Sequence, residues 1–196
     1  MSKGEETRAT ILDRAAALAR TVGLSGLTIG RLADELSLSK SGLFAHFGSK
    51  EMLEIEVLRA AKEQFIQAVV APAFKEKRGE PRVRALFARW LDWAERSGGC
   101  LFTAASAELD DKVGPVRDEV EAAQRDWMAT LAQAARIAKD EDHFRPDLDP
   151  EQFAFETEGI ALIYHLALRL LRDPRALTRA RRAFDALIDR SRAERR

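Results

Sequence analysis

Apolar positions recur every three or four residues over almost the whole chain, and no β-branched run alternates with the period of two that a half-buried strand requires. The pattern predicts an all-α fold of about nine helices. The first helix places Ile11, Leu12, Ala15, Leu18, Ala19 and Val22 on one face and stops at Gly23, a residue suited to a left-handed C-terminal cap. A second, about two turns long, follows Thr28 as N-cap and carries Ile29, Leu32, Ala33 and Leu36. Ser37-Leu38-Ser39 interrupts the pattern, and Ser39 caps a third helix with Leu43 and Phe47 four apart on its inner face. The fourth starts near Lys50, repeats Leu53, Val57, Ala61, Phe65 and Val69, and meets Pro72, which breaks or kinks it.

Beyond Arg78-Gly79-Glu80-Pro81 a fifth helix carries Val83, Leu86, Phe87, Trp90, Leu91 and Ala94 and ends at Ser97-Gly98-Gly99. A short sixth runs from Cys100 to Leu109, and a seventh opens at Pro115 with Val116, Val120, Ala123, Trp127, Leu131 and Ala135. Asp149-Pro150-Glu151-Gln152 starts the eighth, with Asp as N-cap, Pro at the first position and Gln placed to complete a capping box. Phe153, Ile160, Ile163, Ala167 and Leu170 follow on its apolar face. Asp173-Pro174 opens the last helix, with Leu177, Ala180, Phe184, Leu187 and Ile188. No segment repeats another.

Composition narrows the function. The 196 residues hold 32 basic and 32 acidic side chains, so bulk charge cannot hold this chain on nucleic acid and any charged partner must be met locally. The zero is a sum of unlike parts: residues 1–50 hold 7 basic and 5 acidic groups, 51–168 hold 15 and 23, and 169–196 hold 10 and 4. The C-terminal basic block reads either as a second docking surface or as a solvated helix face paired to the acidic body. One cysteine, Cys100, leaves no intrachain disulfide, and the start Met-Ser-Lys-Gly-Glu-Glu lacks the form of a signal peptide. A soluble cytoplasmic protein with no membrane partner is the expectation.

Residues Thr28 to Phe47 have the form of a helix-turn-helix. A helix that enters a major groove about 12 Å wide needs small or hydrogen-bonding residues outward and an apolar anchor inward. Lys40, Ser41, Gly42 and Phe44 to His46 meet that description, although an ordinary helical hairpin with a polar face has the same spacing.

The residues themselves go further. Gly23, Leu27-Thr28-Ile29, Leu32-Ala33 and the run from Leu38 through Ser39-Lys40-Ser41-Gly42-Leu43-Phe44-Ala45-His46-Phe47-Gly48-Ser49-Lys50 to Leu53 resemble the TetR family of transcriptional regulators, over about a quarter of the chain. The resemblance implies a homodimeric regulator, usually a repressor, released from a double-stranded DNA operator by a small-molecule effector. It implies a DNA-binding domain at 1–49 and a ligand-binding and dimerisation domain at 50–196, with 50–78 as the connecting helix. It makes Thr28 a capping and phosphate-contacting residue, Lys40, Ser41, Gly42 and Phe44 the groove-facing set beside the cap Ser39, and His46 and Lys50 phosphate contacts. Lys40 can donate to a guanine edge or a phosphate, Ser41 to either, Gly42 permits close approach, and Phe44 can touch a thymine methyl.

The chain departs from the family's pattern in three ways. Phe44 stands where tyrosine is common and lacks its hydroxyl, and His46 makes a phosphate contact there sensitive to pH. Ser41-Gly42 replaces a glycine followed by a small hydroxyl residue. Ser37 stands where the turn usually has a left-handed glycine, and a Cβ in that conformation costs about 1–2 kcal/mol.

Two further sites are expected in the C-terminal bundle. Trp90, Phe102, Trp127 and Tyr164 are the candidate ligand contacts, with core packing as the alternative for each. Tyr164 and His165 supply polar handles, and Glu108, Asp110 and Asp111 could meet a cationic compound or form a solvated turn. The resemblance pairs the last two helices into a dimer interface, with Ile160, Ile163, Leu166, Leu170, Phe184, Leu187 and Ile188 as candidates and intrachain core as the alternative. No catalytic residue, metal site or cofactor is expected. There is no phosphate-cradling glycine loop and no G-x-S-x-G, and His46, His143 and His165 lack paired metal-ligand spacing. The competing class is a ligand-binding or redox-sensing module acting through Cys100, exposed beside Gly98-Gly99, with weak or no specific DNA binding.

Overall fold

The computed structural model describes residues 3–193. Met1 and Ser2 of the N-terminal start, and residues 194–196 of the basic block, lie outside the described residues. Nine helices of eight or more residues account for about three quarters of the described residues, in the order α1 (Lys3–Val22), α2 (Ile29–Leu36), α3 (Lys40–Phe47), α4 (Lys50–Phe65), α5 (Glu80–Arg96), α6 (Leu101–Leu109), α7 (Pro115–Asp140), α8 (Pro150–Arg169) and α9 (Ala176–Ser191). Among the described residues the β structure is a single antiparallel bridge, Phe144 to Arg192. The all-α expectation holds.

Pro72 does not end α4 abruptly. The helix continues through a π-helical turn, Ile66–Val70, into Ala71–Ala73. Proline has no N–H to give the carbonyl four residues back, and its ring crowds that carbonyl, so the ladder widens one turn earlier. The Ala71 N–H accordingly reaches Ile66 O. Two expected starts differ in detail. Asp149 caps α8 by accepting from the Glu151 and Gln152 amides, but the Gln152 side chain turns to Glu156, so the reciprocal half of the capping box is not made. α9 begins at Ala176, two residues after Pro174, because Asp173 accepts from the Arg175 amide and forms a turn of its own first.

Packing divides the chain into two units that ignore chain order: residues 1–64 with 100–123, and 65–99 with 124–196. Sequence order suggests a division after residue 49, whereas packing places nearly all of α4, all of α6 and the start of α7 with the helix-turn-helix. In the first unit Ile11, Ala15 and Ala19 of α1 are buried together with Leu32, Leu43, Phe47, Leu53, Val57, Leu101 and Ala105. Two polar ties fix α1 to α4: Arg8 pairs with Glu56, and Arg20 donates to Gln64 Oε1 at 2.9 Å.

In the second unit Trp90, Leu91, Phe153, Ala161, Tyr164 and Ile188 are sealed from solvent, and Phe87 stacks on Phe184 at 3.9 Å between ring centres. The end of α9 is latched to the start of α5. Arg192 grips the Glu80 carboxylate through Nε and Nη2 at 2.9 and 2.6 Å, and these charge-assisted bonds, with help from Arg84, hold that carboxyl down at about 2.

Candidate nucleic-acid interface

Two serine or threonine caps set the geometry of the α2–α3 hairpin. Thr28 Oγ1 accepts from the Arg31 amide at 3.1 Å and starts α2; Ser39 Oγ accepts from the Gly42 amide at 3.1 Å and starts α3. Between them Ser37 closes α2 in the left-handed conformation, φ 53° and ψ 38°, and the Leu38 amide returns to Ala33 O at 2.9 Å. The turn is the one a glycine would adopt without strain. Ser37→Gly is therefore expected to raise the melting temperature by about 2–4 °C, from roughly 1 kcal/mol of relieved strain. An unchanged or lower value by differential scanning calorimetry would contradict the strain.

α3 buries only Leu43 and Phe47. Lys40, Ser41, Gly42, Phe44, Ala45 and His46 all lie on its exposed side, and Phe44 is 54 % exposed. An outward phenylalanine of that size on an eight-residue helix gains nothing for the fold. Ser41 donates to Ser39 Oγ at 3.3 Å, and Gly42 leaves the outward surface bare beside the cap. Lys40 has no ion-pair partner among the described residues, so its ammonium is available to a phosphate or a base edge. Lys50 is committed differently. It donates to Ser25 O at 2.9 Å and lies 3.4 Å from Glu54, which ties the start of α4 to the loop ahead of α2 and leaves one N–H of three for a phosphate.

Two residues outside the motif hold it in place. Arg8 of α1 donates to His46 O at 2.7 Å, stands over the Phe47 ring at 5.0 Å and pairs with Glu56, so one guanidinium joins α1, the end of α3 and α4. Glu108 of α6 accepts from the Leu24 and Ser25 amides at 3.1 and 2.8 Å. Those bonds fix the turn after Gly23, where φ is +80° and a Cβ would stand 2.6 Å from Glu108 Oε1. Glu108 is thus a clamp on the helix-turn-helix rather than a contact for a cationic compound, and nothing in the local sequence links residues so far apart. Asp110 and Asp111 are exposed.

The candidate ligand residues are divided between the two units. Trp90 and Tyr164 meet edge-on at 6.0 Å within the core of the second unit, Trp127 lies in the same unit, and Phe102 belongs to the other unit. The Tyr164 hydroxyl is buried without a hydrogen-bond partner. Trp127 donates through Nε1 to Glu158 Oε2 at 2.9 Å. A groove of about 440 Å³ on α5 is lined by Ala68, Arg89, Asp92, Trp93, Arg96 and Ser97. Burial lowers the pKa of His165, and Arg169 beside it adds to that effect. Cys100, expected at the surface, is buried at the start of α6.

The dimer candidates separate by helix. Ile163, Leu166 and Leu170 of α8 are exposed by 56, 42 and 72 %, and Ile160 is half-buried at the edge of the same face. Phe184, Leu187 and Ile188 of α9 are 3, 2 and 0 % exposed, so these three form core within the protomer and leave the interface set. Their wide apolar face is used up by α5 and α8. Phe155 and Leu162, outside the expected interface set, are exposed by 67 and 44 % and lie on the same side of α8 as Leu166 and Leu170. That face could have been found by extending the helical wheel from Leu166 back by four and eleven residues.

Residues 11–57 match the family model described as bacterial regulatory proteins, tetR family, and residues 79–184, more than half of the chain, match the tetracyclin repressor-like C-terminal domain. The chain belongs to the TetR family. A TetR transcriptional regulator from Chloroflexus aurantiacus J-10-FL is 25 % identical, covers 99 % of this chain and 100 % of its own, and superposes with a TM-score of 0.87. AibR, in complex with isovaleryl coenzyme A and operator DNA, is 22 % identical over 91 % of this chain and 94 % of its own, with a TM-score of 0.71. A regulator from Saccharomonospora viridis in complex with choline is 22 % identical over 97 and 100 %, with a TM-score of 0.74. No curated protein matches the chain significantly. This TetR-family chain is a transcriptional regulator, of a class whose members are generally DNA-binding repressors with a ligand-binding domain. Among its described residues no helix is long and apolar enough to cross a membrane.

Proposed function

We propose that this TetR-family chain is a cytoplasmic homodimeric repressor that holds a palindromic operator through two copies of α3 and releases it when a small molecule enters the C-terminal bundle. In this reading residues 1–49 bind DNA, 50–78 connect, and the rest of 50–196 binds effector and dimerises. One observation carries the reading: α3 is anchored by Leu43 and Phe47 alone and presents Lys40, Ser41, Gly42, Phe44 and His46 outward from a hairpin whose two helix starts are both capped. A helix so small cannot hold DNA singly, and two copies reach successive grooves about 34–36 Å apart only if the subunits fix their spacing.

The partner face supports the same reading. Phe155, Leu162, Ile163, Leu166 and Leu170 fall within an arc of about 100° along α8, with the exposed Gly159 among them. A contiguous apolar stripe of that length on a soluble helix favours a second copy of itself. In the basic block at 169–192, Arg179, Arg190 and Arg192 are paired with Asp173, Glu156 and Glu80, which favours a solvated helix face for that part of it.

Two substitutions test the assignment. Lys40→Ala should cost about 1–3 kcal/mol on the operator and relax its sequence preference. Lys50→Ala should weaken operator and random DNA alike, reduce the salt slope by about one and also lower the melting temperature, because it removes the tie to Ser25. Equal effects of both on random and operator DNA in fluorescence anisotropy would remove the distinction.

A further inference from the structure

The chain's half-buried carboxylates are matched with care, and one is not. Glu54, Glu56, Glu80, Glu119, Glu121, Glu156 and Asp173 each face a lysine or arginine within 4 Å. Glu108 accepts two backbone amides instead. Glu158, on α8 in the second unit, has neither. Its one bond is from Trp127 Nε1 to Oε2, while Oε1 has no partner and is not among the atoms sealed from solvent. The indole that holds it sits edge-on to Phe65 at 5.1 Å, and Phe65 is edge-on to Trp93 at 6.1 Å. A half-buried carboxyl held by an indole N–H, with no counter-charge of its own, is kept ionised only where a cation answers it, and the face of an indole favours a cation too.

We propose that Glu158, with Trp127 and the rings of Phe65 and Trp93 behind it, is the recognition site for a small organic cation, an amine or quaternary ammonium group carried on an apolar body. This deepens the reading of the bundle as an effector site and rests on it for the regulatory consequence. The fold itself does not choose the ligand class, since similar structures hold an acyl coenzyme A in one case and choline in another. The choice comes from this chain's own residues. Oε2 stays fixed by the indole N–H, Oε1 faces the cation, and a carboxylate without a counter-charge repels an anion of the same shape.

The test uses the full-length protein and three probes of similar size: benzyltrimethylammonium, benzyl alcohol and benzoate, titrated by calorimetry and tryptophan fluorescence. Saturable binding of the cation at least about tenfold tighter than of the alcohol, none of benzoate, and a loss of about tenfold or more in Glu158→Gln, supports the site. Equal binding of the three probes, cation binding unchanged in Glu158→Gln, or no saturable cation binding overturns it. Operator release is measured separately. A cation that binds through Glu158 and leaves the operator complex intact refutes the release mechanism and keeps the site, whereas release by an uncharged or anionic compound indifferent to Glu158 keeps the mechanism and refutes the site.

Discussion

Ile163→Asp should convert the dimer to a monomer and abolish operator binding at concentrations where the unsubstituted chain binds fully. Ile163 sits 56 % exposed in the middle of the apolar stripe of α8, so its replacement removes little from the protomer's own core. Across a two-fold axis each substitution counts twice. Losing two buried isoleucines at about 1.5–3 kcal/mol each, and placing two carboxylates in an apolar contact, weakens association by at least about 4 kcal/mol, roughly a thousandfold. Analytical ultracentrifugation reads the state and calorimetry the fold. A monomer with a melting temperature close to the monomeric limit is the expected pair of results; a stable dimer would place the interface elsewhere. Phe184→Asp is the contrasting case, since Phe184 stacks on Phe87 inside the protomer and its loss should unfold the second unit.

Glu158→Gln should stabilise the ligand-free protein at pH 8 and leave it nearly unchanged at pH 4. Burial pushes the Glu158 carboxyl from 4.5 up to about 7, with the Trp127 N–H opposing the rise only in part. The unfolded chain therefore releases this proton near 4.5 and the folded chain near 7. Between those values the folded state binds more protons, so stability declines as pH rises through that window and the full cost stands above it. Glutamine keeps an acceptor for the indole and carries no charge. The gain at pH 8 should be about 2 kcal/mol once the residue's partial solvent contact is allowed for, or about 5 °C in melting temperature. Equal melting curves at both pH values would show that Glu158 is solvated rather than confined. Glu80 behaves oppositely: held down at about 2 by Arg192 and Arg84, it contributes stability that is present above about 4.5 and lost as pH falls toward 2.

What the sequence disclosed was local. Thr28, Ser39 and Asp149 announce helix starts because a short oxygen-bearing side chain next to an apolar period has few other uses, and all three accept the expected amides. Ser37 was legible as a strained position for the same reason. The exposed side of α3 followed from the spacing of Leu43 and Phe47, its two buried residues. Ties between distant residues were not legible: Arg8 to Glu56, Glu108 to the turn after Gly23, and Arg192 to Glu80 span 48, 83 or 84, and 112 positions, and no periodicity connects them. The apolar faces of α8 and α9 looked equivalent because hydrophobicity says that a face is covered and not by what. Packing decides that α9 spends Phe184, Leu187 and Ile188 on its own protomer while α8 keeps Phe155, Leu162, Ile163, Leu166 and Leu170 outward.

In the proposed reading, the coupling between effector and DNA would run through named contacts within the first unit. Glu108 of α6 and Lys50 of α4 hold opposite polar groups of one turn, the Leu24 and Ser25 amides and the Ser25 carbonyl. A shift of α4 or α6 that breaks either set would free the loop that positions Thr28 and hence α2. Under that proposal, small movements there would alter the separation of the two recognition helices.

The most direct measurement is fluorescence anisotropy of the full-length protein on the DNA immediately upstream of its own coding region, with random DNA as competitor and salt as the variable. The account predicts one dimer per site, resistance to excess random DNA, a moderate salt slope reflecting few phosphate contacts, and loss of the sequence preference in Lys40→Ala. Binding that random DNA displaces equally well, or that Lys40→Ala leaves untouched, would contradict a recognition role for α3.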